Sequence, residues 1–158
     1  MRRLVATSAA ALFTVLVLTV SAEAKSPRQK QMVDRYADIQ VALADDSGVG
    51  VAAAAAQIAS DSRLAAGEGV NTDVAASLAR AAVAVKSDDL EQARAAFEPL
   101  TKAMYSFLIA SDQADELVLY TCAEDHHHWL QKKGGKGKNP YRGPNKPECA
   151  EPTDSLDN

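Results

Sequence analysis

Residues 29–43 read QKQMVDRYADIQVAL, and the large apolar side chains Met32, Tyr36, Ile39 and Leu43 recur at steps of four, three and four. That spacing puts them on one face of an α-helix, with Asp34, Arg35, Asp38 and Gln40 turned mostly away. Asp45-Asp46-Ser47-Gly48 ends the pattern, and Gly48 and Gly50 suit backbone angles that other residues resist. Beyond them, 51–66 is helical by propensity. Its five consecutive alanines offer a thin contact surface, so Ile58 and Leu64 are expected to supply much of the packing. Gly67-Glu68-Gly69 interrupts the chain again.

A third helix follows, capped by Asn71 or Thr72, with Val74, Leu78, Ala81, Ala82 and Val85 as its stripe. Asp88-Asp89-Leu90-Glu91 starts a fourth in the manner of a capping box. Leu90, Ala93, Phe97, Leu100, Met104 and Phe107 or Leu108 line it. Pro99 is expected to kink or divide it, since proline lacks the N–H and its ring clashes with the preceding turn. Four helices of similar length joined by short turns predict a mainly all-α fold, a four-helix antiparallel bundle.

The composition agrees. The chain has 158 residues, 47% apolar and 24% charged, with 31 alanines and only 5% aromatics. A mean hydropathy of −0.18 excludes a polytopic membrane protein, and the apolar fraction is too high for a wholly disordered chain. The first residues stand apart. Arg2 and Arg3 precede an uncharged apolar run over 4–20, and Ser21-Ala22-Glu23-Ala24 offers a small-x-small cleavage pattern. A retained anchor is the alternative, but the run is at the short edge of a bilayer span. A signal peptide over 1–24 therefore predicts export, periplasmic or otherwise, with no membrane span after cleavage. No cysteine lies near the cut, which argues against a lipoprotein. Removal leaves 134 residues at a formal charge of −5, one domain, and a poor candidate for nucleic-acid binding.

Within 25–158 the helical body covers 25–111, an extended Pro/Gly-rich strap 112–150, and a flexible tail 151–158. Leu117-Val118-Leu119-Tyr120 suits a short strand, part of a hairpin, or an extended strap over the helices. From Gln131 onward come four of the six prolines and four of the eight glycines, a composition that does not build a helix. Between Lys132 and Lys146 lie six basic residues and no acid. A solvated loop is one reading; a patch for an acidic partner or an anionic lipid surface is the other.

Chemistry-bearing side chains gather in the same region. Cys122-Ala123-Glu124-Asp125-His126-His127-His128 places a thiol, two carboxylates and three imidazoles within seven residues, and Cys149 lies 27 positions beyond Cys122. Imidazole and thiolate suit zinc and copper, so His126, His127, His128, Cys122 and Cys149 form a candidate metal set. In an extended segment His126 and His128 would share a side while His127 faces away; on a helix none of the three would share a face well, so the geometry stays open. A histidine triplet also binds divalent metal adventitiously, as an affinity tag does. The competing reading is a Cys122–Cys149 disulfide, favoured by an even cysteine pair in an exported chain. Closing that loop contributes on the order of 3 kcal/mol. Disulfide and thiolate site exclude each other at any moment. No Gly-rich phosphate loop follows a strand, and no nucleophile–base set has a recognisable context, so an enzyme is not expected.

Several of these residues form an ordered series. Tyr36, Ile39, Ala42-Leu43 and Asp45-Asp46 are followed by Arg94, Phe97, Leu100 and Thr101. Then come Leu119-Tyr120-Thr121-Cys122, Trp129-Leu130-Gln131, Asn139-Pro140-Tyr141-Arg142-Gly143 and Cys149. The series resembles the bacterial exported family catalogued as domain of unknown function 3347, over most of the chain after residue 24. The resemblance implies a periplasmic helical domain that occurs alone or beside adaptors of heavy-metal efflux pumps, linked with copper or other heavy metals. A periplasmic efflux adaptor or other envelope protein is the partner it implies. Three departures bear on this: Ala123-Glu124 replaces the family's Pro-Met, Lys146 its second methionine, and Ala150 a glycine. Without those thioethers Cu(I) is disfavoured, and two alternatives follow: the histidines shift preference toward Cu(II) or zinc, or the fold persists without a metal role. Trp129, Asn139, Pro140, Tyr141 and Gly143 read as structural: a Pro/Gly turn, an asparagine satisfying its backbone, and aromatics packing the strap.

Overall fold

The computed structural model describes residues 26–144 and 149–156. The signal-peptide segment 1–24 and Lys146 of the basic stretch lie outside the described residues. Those described form four α-helices, α1 (Pro27–Ala44), α2 (Val51–Ala65), α3 (Thr72–Ala84) and α4 (Leu90–Ala110), and three strands, β1 (Leu117–Thr121), β2 (His128–Lys132) and β3 (Glu151–Pro152). Each helix packs on the next in sequence, and β2 lies against both α1 and α4. The protein is mostly helical with a small antiparallel sheet, not helices crossed by an extended strap alone.

The helix stripes fill the core. Met32, Tyr36, Ile39, Leu43, Ile58, Leu78, Phe97, Leu100, Met104 and Phe107 are all buried, and buried alanines on every helix leave little width between them. Leu64 is the exception, 53% exposed. The buried stripe of α2 runs Val51, Ala55, Ile58, Ala59, Ser62 and Ala65, and at about 100° per residue Leu64 falls outside it. Gln40 departs in the other direction. It is buried, because α1 is covered on a second face by the chain after β2, where Gln40 Nε2 donates to the Lys138 carbonyl at 2.8 Å.

The caps explain where the helices begin. Asn71 Oδ1 accepts the Asp73 and Val74 N–H groups to start α3, and Asp89 Oδ1 accepts that of Gln92 to start α4. α2 begins at Gly50, which has no side chain to cap with, and Asp88 serves instead: its Oδ1 accepts the Ala52 N–H at 3.0 Å from 36 residues away. Gly48 lets this happen, since a Cβ there would run into the Asp88 carbonyl. Pro99 does not divide α4. Pro99 and Ala95 are both exposed, so the carbonyl freed by the missing N–H faces the solvent side.

The sheet order is β2-β1-β3. In the β1–β2 register Tyr120 lies opposite Trp129 and Leu119 opposite Leu130. Trp129 and Tyr120 stack at 5.8 Å between ring centroids. The tail from 151 is not free from its start: Thr121 pairs with Glu151, Tyr120 with Pro152, and the Thr153 N–H reaches the Leu119 carbonyl. Proline is tolerated there because β3 is an edge strand, with one side unpaired. Among the described residues no helix is long and apolar enough to cross a membrane.

Candidate functional site

Cys122 and Cys149 are joined as a disulfide, with their Cα atoms 5.0 Å apart and Cys122 fully buried. A tight turn follows Cys122: the His126 N–H donates to the Cys122 carbonyl, and the Cys122 N–H to the His127 carbonyl. The three histidines then diverge. His126 is exposed and takes a left-handed φ of 58°. His127 turns toward α4, where Nδ1 lies 3.0 Å from Glu98 Oε2 and the ring stacks on Tyr141 at 4.2 Å. His128 is the first residue of β2 and is buried. Extended backbone begins only at His128, so the turn before it, rather than strand alternation, sets where His126 and His127 lie.

Among the described residues no three His, Cys, Asp or Glu side chains converge as a metal-holding group. The five candidate ligands are thus placed as one disulfide, one exposed imidazole, one imidazole–carboxylate pair and one buried imidazole. Burial lowers the His128 pKa from its ordinary value, and the nearby Glu98 carboxylate only partly opposes this. Burial also works against ionised Glu98, but hydrogen bonds from Lys102 and His127 prevail and hold it below the usual carboxylate range.

The residues read as structural are organised around this junction. Asn139 Oδ1 accepts the Tyr141 N–H at 2.8 Å, and its Nδ2 donates to the Cys149 carbonyl. The Tyr141 hydroxyl donates to the His128 carbonyl at 3.0 Å, and its ring packs on Phe97 and His127. The Pro140 carbonyl accepts from Arg94 Nε at 2.7 Å. Gly143 has φ 72°, and a Cβ there would strike the Asp46 carboxylate. Trp129 is buried beneath the clasp.

Arg94 was legible in sequence only as part of the resemblance, yet it joins three segments. Besides Pro140, its Nη2 donates to the Leu43 carbonyl at the end of α1 and to Asp46 Oδ1 at 2.6 Å. The basic stretch is largely neutralised within the molecule. Lys132 pairs with Asp34 at 2.8 Å, Lys138 with Asp45 at 3.1 Å, and Arg142 with Glu124 and Asp125. Lys133 and Lys136 stay exposed on either side of Gly134-Gly135, with no acidic partner among the described residues. Gln131 shapes that tip, donating to the Lys136 carbonyl and accepting the Lys138 N–H.

These features define a mostly helical domain whose C-terminal sheet is clasped by a disulfide and by ion pairs to the helices. No protein-family model, curated protein or solved structure matches the chain.

Proposed function

We propose that the protein is a non-enzymatic exported interaction module that meets an envelope partner through the cationic tip Lys133-Gly134-Gly135-Lys136. The observation that carries this reading is the division of charge along the basic stretch. Lys132, Lys138 and Arg142 hold the clasp to the helices, while Lys133 and Lys136 project from a short turn with no described acid to neutralise them. In a chain of net charge −4, an isolated cationic tip on a braced turn favours an acidic surface on a partner. We read the helical body as a four-helix antiparallel bundle, with the leader 1–24 as the export signal.

A photocrosslinker at Gly135, used in cells, tests the interaction. The expected product is a discrete crosslink to one envelope protein that disappears in K133E/K136E and weakens with added salt. A crosslink unchanged by charge reversal would end this reading. Amino-terminal sequencing of the exported protein is expected to begin at Lys25.

A second reading, a transition-metal accessory role beside an efflux adaptor, accords with the family resemblance and has one favourable observation. His127 and Glu98 meet at 3.0 Å at the surface, and imidazole with carboxylate suits zinc or Cu(II). Calorimetric titration of oxidised, metal-stripped protein distinguishes it: an affinity for zinc or Cu(II) above that of a free histidine peptide, lost in H127A, would favour metal.

A further inference from the structure

Six arginines fall among the described residues, and four have carboxylate partners. Arg28 meets Asp61 and Glu68, Arg35 meets Asp61, Arg94 meets Asp46, and Arg142 meets Glu124 and Asp125. Arg63, in the last turn of α2, and Arg80, on α3, are both exposed and have no acidic partner among the described residues. These two line the same hollow between α2 and α3, whose remaining walls are Ala76, Ala79 and Val83.

The juxtaposition is chemically specific. Two guanidinium groups beside one concavity add their positive fields there, and each offers paired N–H donors that match an oxyanion. No hydrogen-bonding side chain lies between them: the other walls are methyl groups and Val83, itself 49% exposed. The hollow holds about 340 Å³, which falls at the small end of ligand sites, roughly 300–1,000 Å³. On its other flank Arg80 borders a second depression with Lys102, but Glu98 already neutralises Lys102 at 2.8 Å.

We infer that the Arg63–Arg80 hollow binds a small organic acid, a carboxylate on a short alkyl body, with the carboxylate between the two guanidinium groups and the alkyl part against Ala76, Ala79 and Val83. The site is separate from the cationic tip, and nothing in the proposed interaction depends on it.

Titration of the purified protein with octanoate, followed by backbone amide and arginine Nε–H signals in NMR, tests this. Inorganic phosphate probes charge alone, 1-octanol the apolar body alone, and phosphatidylglycerol vesicles a membrane surface. The expected result is saturable octanoate binding centred on residues 63 and 76–83, at least tenfold tighter than phosphate or octanol. R63Q and R80Q are each expected to weaken it at least tenfold, and V83S to weaken octanoate but not phosphate. These positions are exposed, and an unchanged amide spectrum elsewhere verifies that each variant folds. Binding indifferent to both arginine substitutions, phosphate binding as tight as octanoate, or vesicle binding without octanoate binding would each overturn the assignment.

Discussion

The Tyr36 hydroxyl accepts the backbone N–H of Leu130 at 3.1 Å, 94 residues further along the chain. The same oxygen lies 2.6 Å from Thr101 Oγ1, so one buried phenol joins α1, α4 and the outer edge of β2. Burial raises its pKa, and the group stays a neutral phenol. An edge strand presents unpaired N–H groups that water or a partner must satisfy. Here Tyr36 supplies the acceptor from inside the core.

Y36F keeps the ring, which stacks on Phe97 at 5.2 Å, and removes the oxygen. The Leu130 N–H and the Thr101 hydroxyl then lose a partner in a dry environment. A loss of about 1–3 kcal/mol is expected from urea unfolding. Amide exchange at Leu130 should accelerate more than at neighbouring β2 positions; an unchanged midpoint and exchange rate would contradict the assigned role.

Reduction of Cys122–Cys149, or the C122S/C149S variant, frees a loop with a sequence separation of 27. The expected loss is roughly 3 kcal/mol, chiefly through the unfolded state. Thiol counting on the denatured, unreduced protein is expected to find no free thiol.

Replacing Arg94 tests how the clasp is held. Its guanidinium serves the Pro140 carbonyl, the Leu43 carbonyl and Asp46 together. A lysine ammonium cannot reproduce that planar fork, so R94K should behave like R94A. Both are expected to lower stability by about 2 kcal/mol and to raise amide exchange at Tyr141 and Arg142. Full rescue by lysine would show that charge alone suffices.

His128 sets a pH dependence of definite sign. Its folded pKa is depressed by burial, whereas the unfolded chain takes up the proton near pH 6.5. The unfolded state therefore binds more protons as pH falls, and stability should decline from about pH 6.5 downward. Thermal melts between pH 7.5 and 5 check this by the difference between wild type and H128Q, both of which retain His126 and His127. A difference that is flat or rises toward acid would refute it.

G143A combines an unfavourable backbone angle with a side chain directed at Asp46, itself held by Arg94. A cost of about 1–2 kcal/mol follows from the left-handed φ alone. D46A/G143A is expected to recover no more than part of it, because the backbone strain remains and Arg94 loses its carboxylate.

What could be read from sequence was local. The steps between Met32, Tyr36, Ile39 and Leu43 specify a helix face because helical period and side-chain burial act over a few residues. The caps Asn71 and Asp89 are legible for the same reason, and an even pair of cysteines carried the disulfide as one of two readings. Leu64 and Gln40 were misplaced because an alanine-rich helix has a weakly marked stripe, and because polar side chains are buried wherever another segment covers them.

Apart from the disulfide, the tertiary structure decided which distant residues meet. Asp88 caps a helix 36 residues before it, Lys132 and Lys138 reach Asp34 and Asp45, and His127 faces Glu98 rather than its neighbouring histidines. Arg63 and Arg80 have no common motif in the sequence, and only the packing of α2 on α3 brings them to one hollow. The physical reason is common to these cases. Local periodicity records which side of an element is apolar, whereas the partner of a charged or hydrogen-bonding group depends on how whole elements dock.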